Sequence, residues 1–234
     1  MTATDDLDLL ARLADLQEHL HAGLLAVDEQ TQVPGCPGWS VGDLGEHVAG
    51  VHAWAEALVR GAEDIRPPQR TTSVPEHYAR QAARLHRTLS ALAPQTPVRT
   101  MSGTGPSAFW RRRQTHEALV HLHDLHRAAG TVMPDPGHEL WADAVDEVIT
   151  VMHPRQLRLQ RTAAPEVSLR LEATDADAAW QLVGEDPAPA ATLRGSARDL
   201  ALLLWRRLDL DAAGVDVTGD PQLARRELSA ALTP

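Results

Sequence analysis

The stretch Trp110-Arg111-Arg112-Arg113-Gln114-Thr115-His116-Glu117-Ala118-Leu119-Val120-His121-Leu122-His123-Asp124 sets a carboxylate and an imidazole four residues apart. On a helix, residues i and i+4 lie one above the other. Glu117 and His121 therefore point at one spot, and Asp124 follows on that face one turn later. A carboxylate and an imidazole held this way are two of the three protein ligands of an open zinc-type site. The third ligand must come from elsewhere in the chain, so the surrounding elements decide the question.

Periodicity predicts those elements. Leu7, Leu10, Leu13, Leu16, Leu20 and Leu24 recur at three- and four-residue steps and predict a helix over residues 5–27. Pro34, Gly35, Pro37 and Gly38 make a stiff loop. Ser40 caps a second helix with Asp43 as carboxylate partner. Its seam is Val41, Leu44, Val48, Val51, Ala55 and Leu58, and Gly61 ends it. A third helix runs from Ser73, with Pro75 in its first turn, to residue 92. Residues 94–106 read as a loop, and a fourth helix spans 107–130. Four helices of about 20 residues with short connections suggest a four-helix bundle.

Beyond Pro134 a bridging helix is expected over 139–152. Residues 167–173 alternate as a half-exposed strand should, and 178–183, 191–195 and 215–219 are further strand candidates. Residues 185–190, rich in proline and alanine, read as a hairpin loop. Ser196 caps a helix through Leu208, and Pro221 begins a terminal one. The fold class is α+β: a bundle plus bridging helix over 1–152, then a small α+β domain over 153–234.

Ligands in a bundle flank the seam because they face inward. On the second helix His47 sits at the edge of the apolar stripe, while Glu46 and His52 fall further round, towards solvent. His47 is thus the partner that bundle geometry selects for Glu117 and His121. The pattern is equally that of a buried polar cluster in which Glu117 accepts hydrogen bonds from both imidazoles. His116, His123 and His126 lie on other faces of the fourth helix and read as exposed or interfacial. His19, His77, His86, His138 and His153 have no partner pattern. Arg111, Arg112 and Arg113 spread over different faces, which favours solvated or capping roles over an anion site. Cys36 lies between Gly35 and Pro37 with no base at hand, so packing is favoured over a nucleophilic role. Trp39 is an anchor for the loop or a wall of a substrate pocket.

The 234 residues carry a formal charge of −10, which argues against a nucleic-acid backbone or an anionic membrane as the main partner. One cysteine excludes an internal disulfide. Asp5, Asp6 and Asp8 stand where a signal peptide would be basic, and no apolar run reaches a membrane span. A cytoplasmic protein is expected.

Pro34-Gly35-Cys36-Pro37-Gly38-Trp39-Ser40-Val41-Gly42-Asp43-Leu44-Gly45-Glu46-His47 resembles the Pro-Gly-Trp-Ser/Thr-x-x-Asp-Leu-x-x-His signature of the mycothiol-dependent maleylpyruvate isomerase family, one of the DinB-like metal-binding bundles. Residues 113–124 resemble that family's His-Glu-x-x-x-His-x-x-Asp segment, and Gly195-Ser196-Ala197-Arg198-Asp199-Leu200 with Val215-Asp216-Val217-Thr218-Gly219-Asp220 resemble its C-terminal domain. The resemblance implies His47, Glu117 and His121 as ligands of a divalent metal, usually zinc, and a monomeric enzyme that activates mycothiol for addition to a small electrophile. It further implies an arginine of the C-terminal domain that holds a substrate carboxylate; Arg207 lies nearest, with Arg206 its competitor. Asp124 would orient His121 or a bound water, and His116 is a less favoured proton carrier. Isomerase, thiol S-transferase and non-catalytic metal module all stay open.

Overall fold

Asp8 opens the first helix: its carboxylate accepts a hydrogen bond from the Ala11 amide at 3.1 Å, satisfying one of the donors that a helix start leaves unpaired. The computed structural model describes residues 7–212 and 214–234. Asp5, Asp6 and the start of the helix expected over 5–27 thus lie outside the described residues, and α1 is Leu9–Ala26. Its buried side chains are Leu13, Leu16, Gln17, Leu20 and Leu24, the expected leucine stripe with one polar member. Each fully buried leucine contributes roughly 1.5–3 kcal/mol.

The second helix, α2, is Val41–Val59, and its N-terminus is closed by a reciprocal pair. The Asp43 amide donates to Ser40 Oγ at 3.2 Å, and the Ser40 amide donates to Asp43 Oδ2 at 2.9 Å. Gly45 lets α2 approach its neighbours. A Cβ there would lie 2.4 Å from a Val74 methyl and 3.0 Å from one of Leu24. The third helix, α3, is Val74–Ser90 with Pro75 in its first turn.

Residues 94–106 were expected as a loop, but they contain a hairpin, β1 Pro97–Thr100 antiparallel to β2 Gly103–Pro106. Two four-residue strands, one of them Gly-Thr-Gly-Pro, carry too little periodicity to be read as strands. The hairpin receives Trp110 Nε1–H on the Arg99 carbonyl at 2.8 Å. The fourth helix, α4, is Ala108–Ala129. Gly130 ends it in the left-handed region at φ 65°, with the Gly130 and Thr131 amides bonded to the Arg127 and His126 carbonyls. α1 packs against α3 and α4, and α2 against α3 and α4, which makes the expected bundle.

The chain divides into compact units between Pro134 and Asp135, ahead of the boundary expected at 152/153. The helix expected to bridge belongs to the second unit, because α5, His138–Glu147, packs on α7, Ala197–Leu204. It also continues past Met152. A π-helical turn, Val148–Met152, leads into α6, His153–Arg158, with the His153 amide bonded five residues back to the Val148 carbonyl. Pro154 accounts for this: it has no amide to donate and its ring crowds the carbonyl of residue 150 in α geometry, which a wider turn relieves.

A four-stranded sheet completes the unit, ordered β4, β3, β5, β6. The strands are β3 Val167–Ala173, β4 Ala179–Leu182, β5 Asp186–Gly195 and β6 Asp216–Gly219. Leu169, Leu171, Leu182, Ala191 and Leu193 are buried on the side covered by α7 and α8, Pro221–Leu228. The expected hairpin loop at 185–190 is instead the first half of β5. Pro187 and Pro189 cannot donate to a ladder, but this half pairs only with β3, through shifted register, and stays exposed. The helix capped by Ser196 is shorter than expected. Arg206, at φ 55°, closes it with the hydrogen bonds that Gly130 makes in α4: its amide to the Leu203 carbonyl, and that of Arg207 to Leu202. Among the described residues no helix is long and apolar enough to cross a membrane.

Candidate metal centre

His47 comes from the middle of α2, and Glu117, His121 and Asp124 from the middle of α4. The bundle brings the two helices together so that His47 Nε2 lies 3.1 Å from Glu117 Oε1, and His121 Nε2 lies 3.4 Å from the same oxygen. The three donor atoms lie within 4.8 Å of one another. Their side chains are graded in exposure: His47 36%, Glu117 11% and His121 6%. The cluster is open on the His47 side and closed behind His121.

The other oxygen of Glu117 is occupied. Arg113 Nη2, one turn back on α4, donates to Glu117 Oε2 at 2.9 Å, and the arginine is buried. This corrects the solvated or capping role expected for Arg113; the Arg113–Glu117 spacing of four was the available signal. Arg111 does cap, donating to the carbonyls of Leu89 at 3.1 Å and Leu92 at 2.6 Å at the end of α3. Burial alone would push the Glu117 carboxyl up. Hydrogen bonds from His121 and His47, with the positive charge of Arg113, overcome it and hold the group well below the ordinary range.

His121 uses its second ring nitrogen as well: Nδ1 lies 3.1 Å from Asp124 Oδ2, and Asp124 is fully buried. Burial pushes the imidazole down. Contacts with Asp124, Cys36 and Glu117 outweigh it and raise the imidazole well above the usual range in the metal-free chain. Cys36 Sγ lies 3.4 Å from the same Asp124 oxygen, so the cysteine does more than pack. Trp39, half-buried, places its ring 4.8 Å from that of His47 and 6.3 Å from that of His121.

Several histidines depart from expectation. His52 was placed towards solvent; it is fully buried, with Nδ1 2.6 Å from Gln114 Oε1 and Nε2 3.3 Å from Gln17 Nε2. α1 and α3 close over a face that a wheel drawn for α2 alone leaves open. Of the three histidines expected to be exposed or interfacial, His116 and His123 are buried among the helices and His126 is half-buried. In the C-terminal unit Arg206 is exposed and lines a cavity of about 540 Å³ with Leu203, Leu208 and Leu210. Arg207 turns back, donating from Nη1 to the Trp205 carbonyl at 3.0 Å.

The donor set fits a divalent ion. Zinc sits about 2.0–2.1 Å from imidazole nitrogen and carboxylate oxygen, which puts tetrahedral ligand atoms about 3.3 Å apart. The two separations from Glu117 Oε1 are 3.1 and 3.4 Å, and the two imidazole nitrogens lie within 4.8 Å of each other. Two imidazoles and one carboxylate leave a coordination position free, the arrangement of catalytic rather than structural sites. Asp124 lies against the opposite ring nitrogen of His121 from Glu117.

A family model described as "Mycothiol maleylpyruvate isomerase N-terminal domain" matches residues 8–126, and one described as "MDMPI C-terminal domain" matches residues 139–226. None of the curated proteins matches the chain. Two crystal structures resemble it in fold: the mycothiol-dependent maleylpyruvate isomerase, with a TM-score of 0.61, and a histidine-to-alanine variant of that enzyme, at 0.68. Each is 17% identical and covers 92% of this chain and 96% of its own. With the first family model spanning just over half of its length, and the second most of the remainder, the chain belongs to the mycothiol maleylpyruvate isomerase family of enzymes.

Proposed function

We propose that this protein is a divalent-metal enzyme, with zinc as the expected ion, that uses mycothiol as a cosubstrate to isomerise a small cis-unsaturated carboxylate such as maleylpyruvate. The observation that carries the reading is the convergence of His47 Nε2 and His121 Nε2 on one oxygen of Glu117, on a side open to solvent. A divalent ion held by these three residues would supply Lewis acidity and make a thiolate available at neutral pH, which suits a chain whose one cysteine is buried.

The chain's own residues prepare that site. Arg113 ties down Oε2 of Glu117 and leaves Oε1 to face the two rings. Asp124 accepts the Nδ1–H of His121, which leaves the Nε2 lone pair for a ligand bond. Trp39 walls the site beside His47. Arg206 is the better of the two arginines to hold a substrate carboxylate, since the Arg207 side chain is tied to its own backbone. In the reaction, thiolate addition to the alkene moves the π pair onto the conjugated carbonyl. The former double bond then rotates, and expulsion of the thiolate restores it as trans.

The zinc-loaded protein tests this when assayed with mycothiol against maleylpyruvate and against an alkylating electrophile. Isomerisation without net loss of thiol supports the reading. Thiol consumed by the electrophile alone would make the protein an S-transferase, and neither reaction would make it a non-catalytic metal module. His47→Ala is expected to purify without stoichiometric divalent metal by elemental analysis, while the metal-free variant stays within about 1 kcal/mol of metal-free wild type in urea because the ring is half-exposed. Metal retained at one equivalent would remove His47 from the site.

Arg206 gives a prediction of opposite sign for stability and activity. A side chain in the left-handed region costs about 1–2 kcal/mol, part of which glycine forfeits through its freer unfolded chain. Arg206→Gly is expected to stabilise the protein by about 1 kcal/mol in urea while lowering kcat/KM for the carboxylate substrate. Unchanged kcat/KM would mean that Arg206 does not meet substrate.

A further inference from the structure

We infer that the loop of residues 34–39 is the positioning element for both imidazoles of the metal centre, with Cys36 as the positioning residue for His121. Cys36 Sγ and His121 Nδ1 meet on one oxygen, Oδ2 of Asp124, at 3.4 and 3.1 Å. Asp124 is fully buried, and Cys36 and His121 nearly so. Two donors on one carboxylate oxygen fix its direction better than one, and that direction sets the ring plane of His121 and so the aim of Nε2. Three residues on, the same loop lays Trp39 against the ring of His47.

The loop is built to transmit position. The Val33 amide bonds to the Trp39 carbonyl at 2.9 Å, the Cys36 amide to Val33 at 3.0 Å and the Trp39 amide to Cys36 at 3.0 Å. Pro34 and Pro37 restrict the remaining dihedrals, and Gly38 takes the left-handed corner at φ 84°. Cys36 thus bears on His121 through Asp124 as well as by its own contact with the ring, and with His121 and Asp124 it forms a second group whose donor atoms lie within 4.8 Å of one another. Partners behind a metal-bound histidine commonly alter affinity by 10–100-fold when removed.

This inference rests on the metal reading, so its test has one arm with metal and one without, both on the full chain. By chelator competition, Cys36→Ala is expected to bind zinc about tenfold more weakly than wild type, while Cys36→Ser, which keeps a donor, stays within about threefold. Thermal unfolding of both variants gauges packing separately. Equal affinity for Ala and wild type, or an equal loss for Ala and Ser, would overturn the proposal. So would a second zinc equivalent in wild type that vanishes in Cys36→Ala, since the cysteine would then be a ligand. Crystal structures of the metal-free variants decide the point even if wild type takes up no zinc, a result that would sink the metal reading alone. The 3.1 Å contact between His121 Nδ1 and Asp124 kept in Ser and lost in Ala supports positioning by Cys36; kept in both, it refutes it.

Discussion

Glu117→Ala is expected to lose stoichiometric metal and to destabilise the metal-free protein by about 3–5 kcal/mol, the cost of breaking a buried ion pair from one side. Glu117 joins two functions on its two oxygens, receiving His47 and His121 on Oε1 and Arg113 on Oε2. Truncation takes from Arg113, buried in the bundle, a carboxylate that pairs with it at 2.9 Å. Glu117→Gln separates the two functions. It keeps the volume and an acceptor for Arg113 but withdraws the charge, so its stability loss is smaller while its metal loss is as complete. Urea unfolding of the metal-free forms, with elemental analysis of the purified ones, reads both quantities. A loss below about 1 kcal/mol for the alanine variant would mean that the pair is no more than a surface-grade contact.

The second large effect belongs to His52. Burial drives its pKa down to about 4, against a smaller upward push from its hydrogen bond to Gln114. In the unfolded chain the same ring titrates at about 6.5. As pH falls below that value, the unfolded state takes the proton first, so folding stability drops and continues to drop until the folded pKa is reached. From the two values the contribution lost by pH 4 is about 3 kcal/mol. Urea unfolding of metal-free wild type and His52→Gln at pH 7, 6, 5 and 4 isolates this from the carboxylates, which titrate in both. Wild type is expected to fall more steeply by that amount, and parallel pH profiles would show that His52 is not held neutral.

The Cys36 and His52 findings together describe how this bundle is filled. A polar layer runs inward from the candidate metal centre through Glu117 and Arg113, and Gln114, His52 and Gln17 form a neutral hydrogen-bonded group among the helices. Burying an isolated charge costs far more than burying a neutral, paired amide or imidazole. The charges accordingly meet at the site, and the deeper group stays neutral.

What could be read without coordinates was local in character. The start of α2 at Ser40, the stop at Gly130 and the seams of α1 and α2 depend on groups within one turn, as do the alternation of β3 and the shared face of Glu117, His121 and Asp124. Those interactions span three or four residues, so residue order carries them. The burial of His52, the pairing of Arg113, the hairpin before α4 and the strand through Pro187 and Pro189 could not be read that way. A helical wheel gives the angle of a side chain about one axis, but not how many neighbouring helices cover it. A short or proline-bearing strand exists only because another strand supplies its hydrogen bonds. The meeting of Cys36 with Asp124, 88 residues away in sequence, is of this second kind. It depends on where packing brings a loop against a helix, and no spacing along the chain encodes that distance.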